Sequence, residues 1–310
     1  MPPRILASAD IGSNTVHLLV AEVDGDQVSR IGDTNEWISL GEIVGREGKI
    51  PDALADRLIK TLDTFRKQAT IQGAEAIYVF GTEALRKASN QERVLKAVRV
   101  ATGIKVEIIT GQQEAELGLR GAWLDCEGPG PVVMVEVGGG SAQVALCSVG
   151  KGGQPKIEHE VSLPIGTGTL LAHHDLTAPV EDSVYSQLQA EIEARFAELP
   201  SIDAVRMIAC GGVARGLWRA LHPDGEREMA AAELDFLIWS ARRLPQDIIG
   251  DRFSVKPKRA ATLLPGATVY RTLMRRYGFN EFTISRFGVR EGAILGMAKG
   301  TIPHRALKSS

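Results

Sequence analysis

The chain has 310 residues, 44% of them hydrophobic and 24% charged, and its 36 Lys and Arg nearly balance 38 Asp and Glu for a net charge of −2. That length accommodates two domains with separate cores, and the near-neutral balance argues against a general electrostatic binder of nucleic acid or of a membrane surface. Three cysteines, Cys126, Cys147 and Cys210, contain no CxxC spacing, which argues against a disulfide framework or a zinc site and for a reducing compartment. The apolar run at the N-terminus is too short for a signal peptide. No stretch approaches the roughly 18 apolar residues of a membrane helix, so a cytoplasmic protein is expected.

Residues 4–23 read as strand, glycine turn, strand: ILASAD, IGSN, TVHLLVAEV. Apolar residues at helical spacing predict a helix over 52–70, followed by a buried strand at 76–82, a helix at 91–102, the strand VEIIT and a helix beginning near Gln112. The pattern then restarts with strand, glycine turn, strand at 132–149. Helix-like 181–198 and the strand AVRMIACGG at 204–212 follow, then a helix over VARGLWRALH and helical segments at 231–243 and 258–276. FTISRFG at 282–288 reads as a late strand and REGAILGMAKG as a final helix. Alternating strands and helices predict α/β domains.

Two segments align internally. Asp10-Ile11-Gly12-Ser13-Asn14-Thr15 and Glu136-Val137-Gly138-Gly139-Gly140-Ser141 share the order acid, aliphatic, glycine, small, small, hydroxyl, and each position lies 126 residues from its counterpart. One match would be an ordinary tight hairpin; two in register predict a duplicated domain. The expected division is 1–125 and 126–291, with the linker in Glu-Gly-Pro-Gly-Pro and a C-terminal helix at 292–306 returning to the first domain.

A glycine turn between strands exposes backbone N–H groups and suits an anion, and Ser13, Asn14, Thr15 and Ser141 add polar side chains. Asp10 and Glu136 would then face each other across a cleft and hold Mg²⁺ directly or through water, or each would simply cap its turn. Cys210-Gly211-Gly212 opens a helix whose N-terminal amides suit phosphate, and a plain strand-to-helix turn explains it equally well. Arg86, on a turn after a buried strand, could bind phosphate bidentately through its guanidinium. Glu114, in the first turn of a helix, reads by itself as a charge complementing the helix dipole. His17 reads as a core or supporting residue, and His173 and His174 as surface residues of a loop.

DIGSNTVHLLV, GTEALRKASN, ITGQQEAELGL, VEVGGGSAQV, SLPIGTGTL, CGGVARGL and FGVREG, in that order along nearly the whole chain, resemble the exopolyphosphatase and guanosine-pentaphosphate phosphohydrolase family in its short two-domain form. The resemblance implies two duplicated actin-like (ribonuclease H-like) α/β domains around a central cleft. It also implies Mg²⁺-dependent hydrolysis of terminal phosphoanhydride bonds in polyphosphate or guanosine pentaphosphate. It makes Glu114 the catalytic base that orients water and Arg86 the phosphate-binding arginine. Gly12, Ser13, Asn14, Thr15, Gly138, Gly139, Gly140, Ser141, Gly211 and Gly212 become the phosphate cradle, with Asp10 and Glu136 as metal carboxylates. The partner is the polyphosphate or phosphorylated guanosine nucleotide, with no nucleic acid and no membrane; a homodimer is left open.

The motifs also depart from the family. Glu136 stands for Asp, moving its carboxylate about 1.5 Å, one C–C bond. Gln143 stands for Glu, Thr169 for an arginine, and Ser39 where an arginine is common. These changes weaken metal binding and charge stabilisation at a site for polyanions. The alternative is therefore a polyphosphate- or nucleotide-binding regulatory protein with weakened catalysis. A sugar or acetate kinase shares the hairpins but not the remaining motifs.

Overall fold

The computed structural model describes residues 2–150 and 153–307. They fall into two compact units, Met1–Leu124 with Phe287–Ser310, and Asp125–Arg286.

The first unit begins with β1 (Arg4–Ile11), β2 (Thr15–Asp24) and β3 (Gln27–Trp37), an antiparallel meander. Helices α1 (Leu40–Glu47) and α2 (Asp52–Ile71) lead to β4 (Ala76–Gly81). Helices α3 (Glu83–Lys87) and α4 (Gln91–Thr102) precede β5 (Val106–Ile108), and α5 (Gly111–Ala122) closes the run. β4 lies parallel to β1, and β5 parallel to β4. All six residues of β4, AIYVFG, are buried, the uninterrupted apolar run that a strand covered on both faces requires. In α2 the buried Leu54, Leu58, Leu62, Phe65 and Ala69 recur at three- and four-residue steps, giving one apolar stripe against the sheet.

The second unit repeats this plan. β6 (Val132–Val137), β7 (Ala142–Val149) and β8 (Pro155–Leu163) form the meander, and α6 (Thr167–His173) and α7 (Asp182–Phe196) lead to β9 (Arg206–Cys210). Next come α8 (Gly211–Leu221), β10 (Glu228–Ala230), α9 (Ala231–Ala241), α10 (Gln246–Arg252), α11 (Pro257–Tyr277) and β11 (Glu281–Ile284). The spatial order β8-β7-β6-β9-β11 matches β3-β2-β1-β4-β5 in the first unit. β1, β4 and β5 run parallel to one another, as do β6, β9 and β11.

The chain returns to the first unit in α12 (Val289–Ala298) and β12 (Arg305–Ala306), which pairs with β4. The expected helix over 292–306 is therefore shifted: it starts at the Gly288 cap, stops at Ala298, and the remainder forms a short strand. Lys299 caps the end, and Gly300 at φ 70° turns the chain out of the helical path. α12 packs on α5 through glycines. A Cβ on Gly292 would overlap the Leu117 carbonyl, and one on Gly121 would overlap the Gly288 carbonyl. The two backbones approach too closely for any larger residue.

Two other expectations differ from the structure. Arg86 belongs to the short helix α3, not to a turn. His173 ends α6 and His174 caps it, and both rings bind Glu191, at 2.9 and 2.7 Å. Nothing in the local sequence announces Glu191, which arrives from α7.

Candidate functional site

In each unit the parallel strands end at the same edge, and the loops at that edge hold the candidate residues. This is where open α/β sheets place ligands. In the first unit β1 runs into the 12–15 turn, β4 into Thr82 and α3, and β5 into Thr110 and α5. The Thr82 amide donates to the Ile11 carbonyl (3.2 Å), which ties α3 to the start of the hairpin. The hairpin closes with Gly12 N–H to Thr15 C=O (3.0 Å), and the Ser13 and Asn14 carbonyls accept from Gly41, Ile38 and Ser39. With those carbonyls turned toward the start of α1, the Ser13 and Asn14 amides have no backbone acceptor among the described residues. Ser39 sits in the left-handed region at φ 59° and its hydroxyl accepts from the Trp37 indole (2.8 Å).

Arg86 and Glu114 come together. Both terminal guanidinium nitrogens lie 3.3 Å from Glu114 Oε2, and Nη1 also donates to the Ile109 carbonyl at 2.6 Å. α5, which carries Glu114 in its first turn, starts with a reciprocal cap. The Gln113 amide donates to the Thr110 hydroxyl (3.1 Å), and the Gln113 side chain accepts from the Thr110 amide (2.9 Å). The glycine contact with α12 holds the same helix from behind.

Asp10, at the end of β1, meets a cation that the sequence reading did not assign. Arg290 of α12 is buried and donates to Asp10 Oδ2 at 3.1 Å, with Asp33 3.9 Å from its other nitrogen. Burial alone would lower the Arg290 pKa, but the carboxylates of Asp10, Glu291 and Asp33 outweigh it and raise it. Next to it, Glu291 accepts from Arg30 (2.6 and 3.0 Å) and from the Gly288 amide (2.9 Å), closing the N-terminus of α12. FGVREG thus contributes an arginine that neutralises Asp10, a glutamate that caps, and a glycine that allows close packing.

In the second unit the turn closes in the same way, with Gly138 N–H to Ser141 C=O at 2.8 Å. Its carbonyls face the start of α6. Gly138, Gly139 and Gly140 accept from the amides of Thr167, Gly168, Thr169 and Gly166, and the Thr169 hydroxyl donates to Gly140 at 2.8 Å. SLPIGTGTL is therefore the brace of the second loop, and the residue at the expected arginine position serves as one of its pins. Gln143 is 1% exposed, and its amide donates to the hydroxyls of Ser141 (2.7 Å) and Ser162 (3.1 Å). Gln143 thus acts on the loop itself.

Glu136 is the register partner of Gln143 across β6 and β7, and of Cys210 across β6 and β9. The backbone turns from β9 into α8 at Gly211, where φ is 86° and a Cβ would come within 2.7 Å of the Glu136 carboxylate. Only glycine suits both the conformation and the space. Cys210 is fully buried, and burial together with the nearby Glu136 pushes its thiol well up, away from a nucleophile. Behind Gly212, Arg259 donates to its carbonyl (3.1 Å), and burial with the charges of Arg219 and Arg215 lowers the Arg259 pKa. This arginine group went unnoticed in the sequence, although CGGVARGL contains its first member.

No cluster of three or more His, Cys, Asp or Glu suited to a metal ion occurs among the described residues. Asp10 already shares the Arg290 guanidinium. The described carboxylates therefore build no cage made wholly by protein, and a divalent cation held at one of them would keep most of its waters. No helix among the described residues is long and apolar enough to cross a membrane.

The family model described as the Ppx/GppA phosphatase family matches residues 19–301. Exopolyphosphatase 1 of Mycobacterium tuberculosis is 30% identical over 306 residues, covering 94% of this chain and 87% of the relative. A guanosine-5'-triphosphate,3'-diphosphate pyrophosphatase of Aeromonas hydrophila is 23% identical, covering 94% of this chain and 59% of its own length. The crystal structure of the Aquifex aeolicus member of the Ppx/GppA family superposes with a TM-score of 0.82 at 23% identity, over 97% of this chain and 100% of that one. The likeness shows the fold, two α/β domains of the actin-like, ribonuclease H-like kind.

Proposed function

Because the chain belongs to the Ppx/GppA phosphatase family, and is an enzyme of that hydrolytic class, we propose that it releases the terminal phosphate from inorganic polyphosphate or a guanosine pentaphosphate with Mg²⁺. The observation that carries this reading is the Arg86–Glu114 pair at the strand edge beside an open glycine turn. Phosphoryl transfer asks for a positioned nucleophile and compensated charge, and little covalent chemistry from the protein.

In this reading the amides of Ser13 and Asn14, and in the second unit those of the 138–141 turn and of Gly211 and Gly212, are the donors for phosphate oxygens. Arg86 takes the terminal phosphoryl group with one edge of its guanidinium. Glu114 accepts a proton from water and aligns that water with the phosphorus. The water oxygen bonds to phosphorus as the bridging P–O bond breaks, and the bond's electrons leave with the shortened chain. Asp10 in the first unit and Glu136 in the second are each proposed as a carboxylate for Mg²⁺, which would supply neutralisation of phosphate charge when bound. Arg215, Arg219 and Arg259 suit the further phosphates of a long polyanion.

A second reading, a binder with slow turnover, is favoured by one observation. The positions where an acid and an arginine were expected, Gln143 and Thr169, are both occupied with bracing the second loop. The test is phosphate release from polyphosphates of graded length, guanosine pentaphosphate and ATP, each with and without Mg²⁺. Mg²⁺-dependent release from polyphosphate or guanosine pentaphosphate is expected. Binding of these anions with no release would replace the hydrolase by the binder, and absence of both would overturn either reading.

A further inference from the structure

The two hairpins share a side-chain contact as well as a backbone turn. Two residues after each loop hydroxyl, the outgoing strand carries a buried or half-buried polar side chain whose nitrogen reaches back to that hydroxyl. In the first unit His17 Nε2 lies 2.7 Å from Thr15 Oγ1. In the second, Gln143 Nε2 lies 2.7 Å from Ser141 Oγ. His17 pairs in register with Asp10, and Gln143 with Glu136. Acid, hydroxyl and nitrogen thus recur at the 126-residue offset, 10, 15 and 17 against 136, 141 and 143.

The chemistry of the two nitrogens differs in one respect. An amide nitrogen only donates, so the Ser141 hydroxyl is the acceptor of the Gln143 bond and keeps its own proton for another partner. An imidazole nitrogen donates in one tautomer and accepts in the other. If Nε2 accepted, Thr15 would spend its proton on His17 and present only lone pairs to its surroundings. Phosphate oxygens also carry lone pairs, so that arrangement repels the anion the loop is read to bind.

We propose that His17 is a positioning residue whose Nε2–H donates to the Thr15 hydroxyl, so that the Thr15 proton points at bound phosphate, as Gln143 arranges for Ser141. The two side chains make each hairpin hydroxyl a donor toward the ligand. His17 does not touch the phosphate; it acts through Thr15. This rests on the reading of the 12–15 turn as a phosphate loop.

The experiment measures the Kd of inorganic tripolyphosphate by calorimetry for the full chain and for Thr15→Val, His17→Phe, His17→Gln and the double variant Thr15→Val/His17→Phe, with thermal melting to confirm folding. A hydrogen bond to a charged acceptor is lost in Thr15→Val, so binding there weakens about tenfold. His17→Phe weakens binding several-fold, His17→Gln restores it to within about threefold of the parent by supplying an amide donor, and the double variant is no weaker than Thr15→Val alone, as coupling through one hydroxyl requires. Multiplying effects in the double variant, or a His17→Gln as weak as His17→Phe, overturn the proposal while leaving the loop a phosphate site. An unchanged Kd in Thr15→Val overturns the loop reading and the proposal with it. Nitrogen-15 shifts of the His17 ring in the unaltered protein at pH 8 provide a measurement that needs no variant. A proton on Nε2 supports the assignment, and a neutral ring protonated on Nδ1 alone refutes it.

Discussion

Replacing Glu114 by Gln separates the proposed job of one carboxylate from its observed one. As the proposed base it accepts the proton of the attacking water, and an amide cannot, so turnover should fall by roughly 10² or more. As the partner of Arg86 it also occupies the guanidinium proposed to bind phosphate. Both terminal nitrogens stand 3.3 Å from Oε2, and the side chains are 23% and 12% exposed. Two unit charges at about 4 Å attract by about 4 kcal/mol at an effective dielectric constant of 20. Ordering of the side chains and residual water contact reduce the net to on the order of 1 kcal/mol. Freed of that competition, Arg86 should bind polyanion about fivefold more tightly. It keeps its orientation, because the Ile109 carbonyl at 2.6 Å holds Nη1 independently. The assay is phosphate release under saturating polyphosphate, paired with the Kd of tripolyphosphate for parent and Glu114→Gln. Turnover within a few-fold of the parent would return Glu114 to a helix-end charge. A tenfold loss of affinity would show that it supports Arg86 and does not compete with it.

Arg290→Leu strands the Asp10 carboxylate, 13% exposed, without its guanidinium; breaking such a pair costs about 3–5 kcal/mol, read as a lower urea midpoint that Asp10→Asn in the same background partly restores. For Glu191, burial works to raise the pKa but the hydrogen bonds from His173 and His174 outweigh it and lower it below its ordinary value of 4.5. A depressed carboxylate stabilises above its unfolded pKa and loses that contribution as pH falls through the folded one. The melting temperature of Glu191→Gln should therefore lie below the parent's at pH 7, with the gap closing below pH 4.5. Gln143→Glu sets a second acid opposite Glu136 across β6 and β7; Mg²⁺ should raise its melting temperature more than the parent's, and an equal shift would exclude a cation at that pair.

Much of this molecule is legible in its sequence for a simple reason. Strand, glycine turn and amphipathic helix are local patterns, and AIYVFG, DALADRLIKTLDTF and the two acid-glycine segments each state their own conformation within a few residues. The register of the two hairpins, 126 residues apart, even discloses that the second unit repeats the first. What stayed hidden has two physical causes. The edge strands β3 and β8 are half solvated and rich in charge, so QVSRIGDTNEW and PKIEHEVSL lack the apolar signal that marks a buried strand. Side-chain partners far apart in sequence are set by which strands and helices pack together, and no local pattern encodes them. Arg290 reaches Asp10 across 280 positions, Glu191 is brought to two histidines by α7, and Thr169 pins a loop 29 residues earlier. The sequence by itself determined the two glycine turns, the strands that feed them and the identity of the acids beside them. Only the tertiary structure decided which cation neutralises Asp10 and that Arg86 and Glu114 are one pair. It also decided that Gln143 is spent on a serine hydroxyl, because each of these depends on distance in space and on the exclusion of water around a buried charge.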